Sequence, residues 1–183
     1  MADLRAQIHE LRCQNVDGRY FVPNGALQEV VTEQAVLTAV EACGILPGRQ
    51  EDIVKRVPQG GRRLFAILTL LNRQILILKF IENDQLIPRP LDSSLPFSLS
   101  TLQEMLTRAD ANDFFEKQWE FTVPILRSSR RGHRILNDYT IFPFMQSTLL
   151  GEAGFGEVFE LEVHPDHGAF VGMPPNQVRI VQI

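Results

Sequence analysis

The sequence predicts an α+β protein, with a mainly helical N-terminal domain, residues 1–135, followed by a C-terminal antiparallel β element, residues 136–183. Through the first part, apolar residues recur three and four positions apart, which is the period of an amphipathic helix. After residue 138 the alternation shortens to every second residue, as in a half-buried strand. Hydrophobic residues make up 44% and charged residues 22%, which fits a folded globular chain and excludes a collagen-like or disordered one.

Four short helices are predicted before residue 58. The first lies within residues 3–13, where leucine and isoleucine share one face. Asn24 is expected to cap the second helix and Thr32 the third, which Gly44 ends. The fourth ends at Pro58, because proline cannot continue a helix.

The longest apolar stretch runs from residue 64 to residue 81, close to the roughly 20 residues that cross a bilayer. Arg73 and Lys79 interrupt it, and each would cost about 2–3 kcal/mol at a membrane centre. We therefore expect two helices of a protein core, at about 61–71 and 73–82, and no contact with a membrane.

A proline-rich connection separates these helices from the last helical segment. Prolines 88, 90 and 96 favour an extended chain. Ser100 is then expected to cap one helix and Asp113 to cap the segment that carries Trp119. The aromatic side chains around Trp119 recur on one helix face, which predicts core packing.

The charge pattern limits the classes of partner. Acidic residues outnumber basic ones by 22 to 18, which argues against a nucleic-acid-binding protein. The only basic cluster, four arginines between residues 127 and 134, is interpreted as a solvated linker, with contact to phosphate or an acidic partner as the alternative. The N-terminus shows no apolar signal segment, so a cytoplasmic or nuclear protein is expected. Cys13 and Cys43 are too few for a disulfide framework, and neither has an evident base partner.

Two β-rich runs, residues 140–144 and 157–163, flank a glycine-rich turn. In the second run, Val158, Leu161 and Val163 are expected near one another, with glutamates between them. Glycines on such a turn let backbone amides approach phosphate oxygens, because no Cβ stands in the way. A dinucleotide-binding loop would open a helix, and a P-loop would need Gly-Lys-Ser/Thr, so neither fits.

The order Leu-Gly-Glu-Ala-Gly-Phe-Gly-Glu-Val, residues 150–158, resembles the glycine-rich loop of protein kinases, G-x-G-x-x-G-x-V. The resemblance implies an ATP-type site with Gly151 and Gly156 as first and third glycines, and Val158 packing on adenine. Ala153 replaces the second glycine, where the backbone approaches phosphate most closely. The cofactor-binding residues that the resemblance implies are Leu150, Gly151, Ala153, Gly154, Phe155, Gly156 and Val158.

Upstream segments extend this resemblance. R-R-L-F-A-I-L at residues 62–68 and F-E-K-Q-W at residues 115–119 are similar to the helical domain that precedes the kinase domain in a set of fungal protein-kinase-like proteins. The stretch Val-His-Pro-Asp-His at residues 163–167 resembles the segment after the second strand in those proteins. The resemblance covers residues from about 10 to 170 and implies a kinase of the serine/threonine type.

Several parts of a kinase are missing from these 183 residues. A kinase needs a lysine on its third strand, but residues 177–183, which resemble that strand, carry Val181 there, and no lysine occurs after Lys117. The H-R-D catalytic loop and the magnesium-binding D-F-G are absent too. The hypothesis is therefore the N-terminal part of a kinase-like protein, truncated or a fragment, with no catalytic residues, weak or vestigial ATP binding and no hold on magnesium.

A non-enzymatic alternative stays open. In it, the helical domain is an interaction or regulatory module with a protein partner, and the hairpin is structural. Self-association through the open hairpin edge is also expected. His164, Asp166 and His167 could ligate zinc, but a third strong ligand at a fixed spacing is lacking, so no metal site is predicted.

Overall fold

The computed structural model describes residues 3–83, 90–127, 136–153, 156–169 and 177–182. The chain divides into two compact units. The helical unit comprises residues 1–11 and 25–122, and the sheet unit comprises residues 12–24 and 123–183. The predicted fold class is confirmed: the chain is mainly helical with small sheets that are mostly antiparallel. The sequence put the boundary after residue 135, whereas the sheet unit begins at residue 123 and includes residues 12–24.

Eight α-helices form the described part of the helical unit. They are α1 Leu4–Glu10, α2 Leu27–Val30, α3 Glu33–Ala42, α4 Pro47–Arg56, α5 Arg62–Leu70, α6 Ile77–Glu82, α7 Leu99–Met105 and α8 Arg108–Lys117. Thr32 caps α3 as predicted, since its Oγ accepts the Ala35 N–H at 3.2 Å. Gly44 comes after α3 with φ of +72°, a conformation that glycine adopts without strain.

Three predicted caps were wrong. The N-cap residue of α2, which begins at Leu27, is Ala26 and not Asn24. Ser98, not Ser100, caps α7, because its Oγ accepts the Thr101 N–H at 3.1 Å. Asp113 lies inside α8, which starts six residues earlier than expected, just after the Thr107 cap. Neighbouring hydroxyl and carboxylate residues have similar capping chemistry, so tertiary packing decides which one begins the helix.

Helix α5 is the centre of the helical unit, and all its residues from Leu64 to Leu70 are buried. Such a helix, apolar on every side, must be surrounded by other helices. Asp92 holds its first turn by accepting the N–H groups of Arg63 at 3.1 Å and Leu64 at 3.0 Å. Burial raises the pKa of the Asp92 carboxyl, although these two backbone bonds act in the opposite direction.

The two helices predicted between residues 61 and 82 are present as α5 and α6, joined by a 3₁₀ turn at Gln74–Leu76. In the described part of the chain, no helix is both long and apolar enough to span a bilayer. Trp119 is buried, as predicted.

Seven strands form the described part of the sheet unit. They are β1 Cys13–Gln14, β2 Tyr20–Phe21, β3 Leu126–Arg127, β4 Phe144–Ala153, β5 Gly156–Val163, β6 Gly168–Ala169 and β7 Gln177–Gln182. The largest sheet has the antiparallel order β4-β5-β7, β1 pairs antiparallel with β2, and β3 pairs parallel with β6. Of the basic cluster, Arg127 lies on β3, and the other three arginines fall outside the described residues.

Residues 12–24 belong to the sheet unit because they form hydrogen bonds with residues 139–144 of that unit. The Val16 N–H donates to the Phe144 carbonyl at 2.9 Å. The buried Asn15 amide donates to the Phe142 carbonyl at 3.0 Å. Arg19 donates to the Tyr139 carbonyl at 2.7 Å.

The expected grouping of Val158 with Leu161 and Val163 was wrong. Side chains alternate between the two faces of a strand, so Leu161 and Val163 share one face and Val158 lies on the other. Leu161 and Val163 are buried, whereas Val158 is only half-buried.

Candidate functional site

The glycine-rich segment lies on the hairpin formed by β4 and β5. The strands pair antiparallel as far as Ala153 opposite Gly156. Leu150 and Gly151 also lie on β4, and Val158 lies on β5. Gly154 and Phe155, the remaining predicted nucleotide contacts, lie outside the described residues.

Strand register places three of the motif positions in one row. Gly151 is opposite Val158 on β5, and Val158 is opposite Val181 on β7. The resemblance would make these residues the first glycine of the motif, the valine that contacts adenine, and the position of the third-strand lysine. Arg179 is opposite Glu160 instead, two residues and about 7 Å along the strand.

The outer part of β4 is open on both faces. Six consecutive residues, from 146 to 151, are exposed. A β-bulge between Leu149 and Gly151 leaves Leu149 and Leu150 each 48% exposed. A Cβ added at Gly151 would meet no atom within 4 Å, so packing does not require glycine there. A ligand could approach the backbone at this point.

Comparison of the chain with protein-family models, curated proteins and solved structures finds no match. The kinase resemblance of the hairpin therefore rests on the order of its residues alone.

A second group of reactive side chains meets elsewhere in the sheet unit. Cys13 Sγ on β1 lies 3.9 Å from His164 Nε2, just after β5. His164 Nδ1 accepts the Asp166 N–H at 3.3 Å and lies 3.9 Å from an Asp166 carboxylate oxygen. The expectation that Cys13 has no base nearby was wrong. The two residues are 151 positions apart, and no local pattern links them.

This group does not have the properties of an activated nucleophile. Burial raises the pKa of the Cys13 thiol, and the Asp166 carboxylate raises it further. Because Nδ1 of His164 accepts the Asp166 N–H, the neutral ring carries its proton on Nε2, which then points at the sulfur. The imidazole in this tautomer cannot take the thiol proton.

His167 is the second histidine of the H-x-x-H stretch. It is buried, with 2% exposure, and its ring packs edge-on against Phe21 with the centroids 5.5 Å apart. Among the described residues, no three His, Cys, Asp or Glu side chains converge to form a possible metal site.

Proposed function

We propose that the β4–β5–β7 sheet carries a glycine-rich nucleotide-binding loop of the protein-kinase type. This loop binds ATP weakly, and the chain of 183 residues does not transfer phosphate. The observation that carries the proposal is the row of Gly151, Val158 and Val181 across three antiparallel strands. By the resemblance, these are positions that a kinase uses above the nucleotide. The open space at Gly151 supports it, because phosphate oxygens need close access to the backbone.

The same row explains why binding should be weak. Val181 offers no cation where a kinase presents lysine, and Arg179 is displaced along the strand. Backbone amides contribute about 1–3 kcal/mol each when they meet a charged oxygen. Association costs at least about 4 kcal/mol, so two or three such bonds leave little net affinity. We therefore expect a dissociation constant of about 1 mM or weaker, which corresponds to about −4 kcal/mol.

An amide NMR titration of the whole chain with Mg-ATP tests the proposal. We expect shifts confined to residues 150–158 and to β7, with a midpoint of about 1 mM or weaker. Gly151→Ala should abolish them, because the new methyl group obstructs the ligand while meeting no atom of the protein within 4 Å. Gly48→Ala is the matched control, since a Cβ there also meets nothing within 4 Å.

Two results would overturn the proposal. Absence of any shift on the hairpin at several times the expected midpoint would favour a purely structural element. A midpoint of about 10 μM or tighter, lost in Gly151→Ala, would show a working nucleotide site and refute the vestigial character.

Self-association through the hairpin edge is a second candidate function, favoured by the composition of β4. Strand β4 is at the edge of its sheet among the described strands, and it carries no charged residue from Phe144 to Gly151. Charged edge residues are a common barrier to strand pairing between molecules. The Val16 N–H donates to this strand at the Phe144 carbonyl, at its first residue.

Sedimentation velocity over a range of protein concentrations tests this second candidate. If two chains pair through β4, a charge placed at this edge by Thr148→Lys should abolish the resulting dimer. Thr38→Lys, on the exposed face of α3, should leave the dimer unchanged. A wild-type chain that stays monomeric at millimolar concentration would exclude edge pairing.

A protein partner for the helical unit is a further proposal. The absence of a nucleic-acid partner, inferred from the net charge of −4, stays a prediction, as does a cytoplasmic or nuclear location.

A further inference from the structure

Both ring nitrogens of His167 bind backbone groups. Nε2 lies 3.1 Å from the Asn24 nitrogen, whose N–H points at it. Nδ1 lies 3.2 Å from the Pro124 carbonyl oxygen. The ring is 2% exposed, so bulk water does not compete for these contacts.

These partners fix the protonation state of the ring. A carbonyl oxygen only accepts, so Nδ1 must carry the proton that it donates to Pro124. A backbone N–H only donates, so Nε2 must be unprotonated to accept from Asn24. The arrangement therefore needs the neutral imidazole with its proton on Nδ1.

The two backbone partners come from the two separate segments of the sheet unit. Asn24 is the last residue of the segment 12–24, and Pro124 is the second residue of the segment 123–183. Beside them, β3 pairs with β6 directly after His167, with Leu126 opposite Gly168. One side chain thus holds both segments on the turn Pro165–His167.

Titratable groups of the described residues lie close to the ring. The His164 ring has its centroid 6.0 Å away, and when protonated it would repel a second cation. Asp166 and Cys13 contact His164. The Phe21 ring makes a T-shaped contact with His167, and Arg127 on β3 is exposed.

We propose that His167 is an acid-sensitive latch, whose neutral ring holds Asn24 and Pro124 and whose protonation at Nε2 breaks the hydrogen bond from Asn24. A proton on Nε2 would face the Asn24 N–H and remove that hydrogen bond, and it would leave a buried cation. The open form exposes the ring, which then takes up a proton near the ordinary imidazole value of about 6.5. Since the open form binds more protons, acid favours opening.

The size of the effect can be worked out from this linkage. If the closed ring stays neutral, the opening constant at pH 5 exceeds its value at pH 8 by about thirtyfold. Asn24 amide hydrogen exchange, corrected for the intrinsic rate at each pH, should lose protection by about that factor. The Ala111 amide, bonded to the Thr107 carbonyl inside the helical unit, should keep its protection.

Variants separate His167 from general acid effects. His167→Gln keeps a donor and an acceptor but cannot titrate in this range, so its corrected Asn24 protection should not depend on pH. His9→Gln, an exposed histidine on α1, should behave like the wild type.

Wild-type measurements alone also decide the question if His167→Gln fails to fold. Imidazole nitrogen NMR shifts should report the Nδ1–H tautomer at neutral pH. The proposal is overturned if the ring carries its proton on Nε2, or if His167 takes up a proton near pH 6.5 while the corrected protection of Asn24 stays constant. Equal pH dependence in wild type and a folded His167→Gln would also overturn it.

Discussion

Gln118 offers the sharpest test of how the helical unit is held together. Its side chain is fully buried and forms a closed pair of hydrogen bonds with the backbone of Phe97. Oε1 accepts the Phe97 N–H at 2.8 Å, and Nε2 donates to the Phe97 carbonyl at 3.0 Å. The amide thus satisfies both backbone groups of Phe97, which lies in the extended chain just before α7.

Gln118→Leu retains the approximate volume but removes both partners. Two buried backbone groups of Phe97 then lose their hydrogen bonds, at about 1–3 kcal/mol each. The Phe97 ring also loses support for its packing against Phe80 and Phe114, whose centroids are 5.6 and 6.0 Å away. We expect a loss of about 3–5 kcal/mol in the free energy of unfolding, which is a large part of the total for a domain.

Urea denaturation of the whole chain, monitored by tryptophan fluorescence, measures this loss because Trp119 is the next residue and the only tryptophan. Gln103→Leu is the matched control, since Gln103 is exposed on α7. That control should change the unfolding free energy by less than about 0.5 kcal/mol. If Gln118→Leu changes it no more than Gln103→Leu does, the buried amide is not the element that holds Phe97.

Two further predictions concern helix starts in the helical unit. Hydrogen bonds from Thr107 and then from Arg73 hold the pKa of the Asp110 carboxyl below its ordinary value of 3.8. The ionised carboxylate therefore stabilises the fold above that pH, and this contribution disappears as the pH falls through the lowered pKa. The difference in unfolding free energy between wild type and Asp110→Asn should therefore be larger at neutral pH than in strong acid; a difference that grows in acid would contradict the sign. Ser98→Ala should cost about 1 kcal/mol in thermal unfolding, while Ser100→Ala should cost less than about 0.5 kcal/mol, and the reverse order would show that the cap is misassigned.

The spacing of apolar residues predicted secondary structure well where a helix is determined by its own sequence. The apolar run through α5 and α6 predicted two helices and their approximate ends, because a helix buried on all sides must be apolar on all sides. Cap choice was less reliable, since Ser98 and Ser100 offer the same hydroxyl and only tertiary packing distinguishes them. A local signal carries no information about such a choice.

Long-range assembly of the sheet unit could not be predicted from the sequence. The contacts of Asn15 with Phe142, and of Cys13 with His164, join residues more than 120 positions apart. The presence of a third strand could be predicted, because residues 177–183 resemble the third strand of a kinase, and β7 lies there beside β5. Its register could not. That Asn24 and Pro124 both need the neutral ring of His167 became visible only in three dimensions.

The division of the sheet unit into two segments also has a consequence for synthesis on the ribosome. Residues 12–24 leave the exit tunnel long before residues 139–144, to which Asn15, Val16 and Arg19 bind. At 5–20 residues per second, translation from residue 24 to residue 139 takes roughly 6 to 23 s. During that interval Phe21 and Val22, both buried in the final structure, have no partner from the second segment of their own unit. The nascent chain therefore presents a short apolar segment for the time in which residues 25–122 of the helical unit are made, and in that interval it is a site to which a holding chaperone would bind.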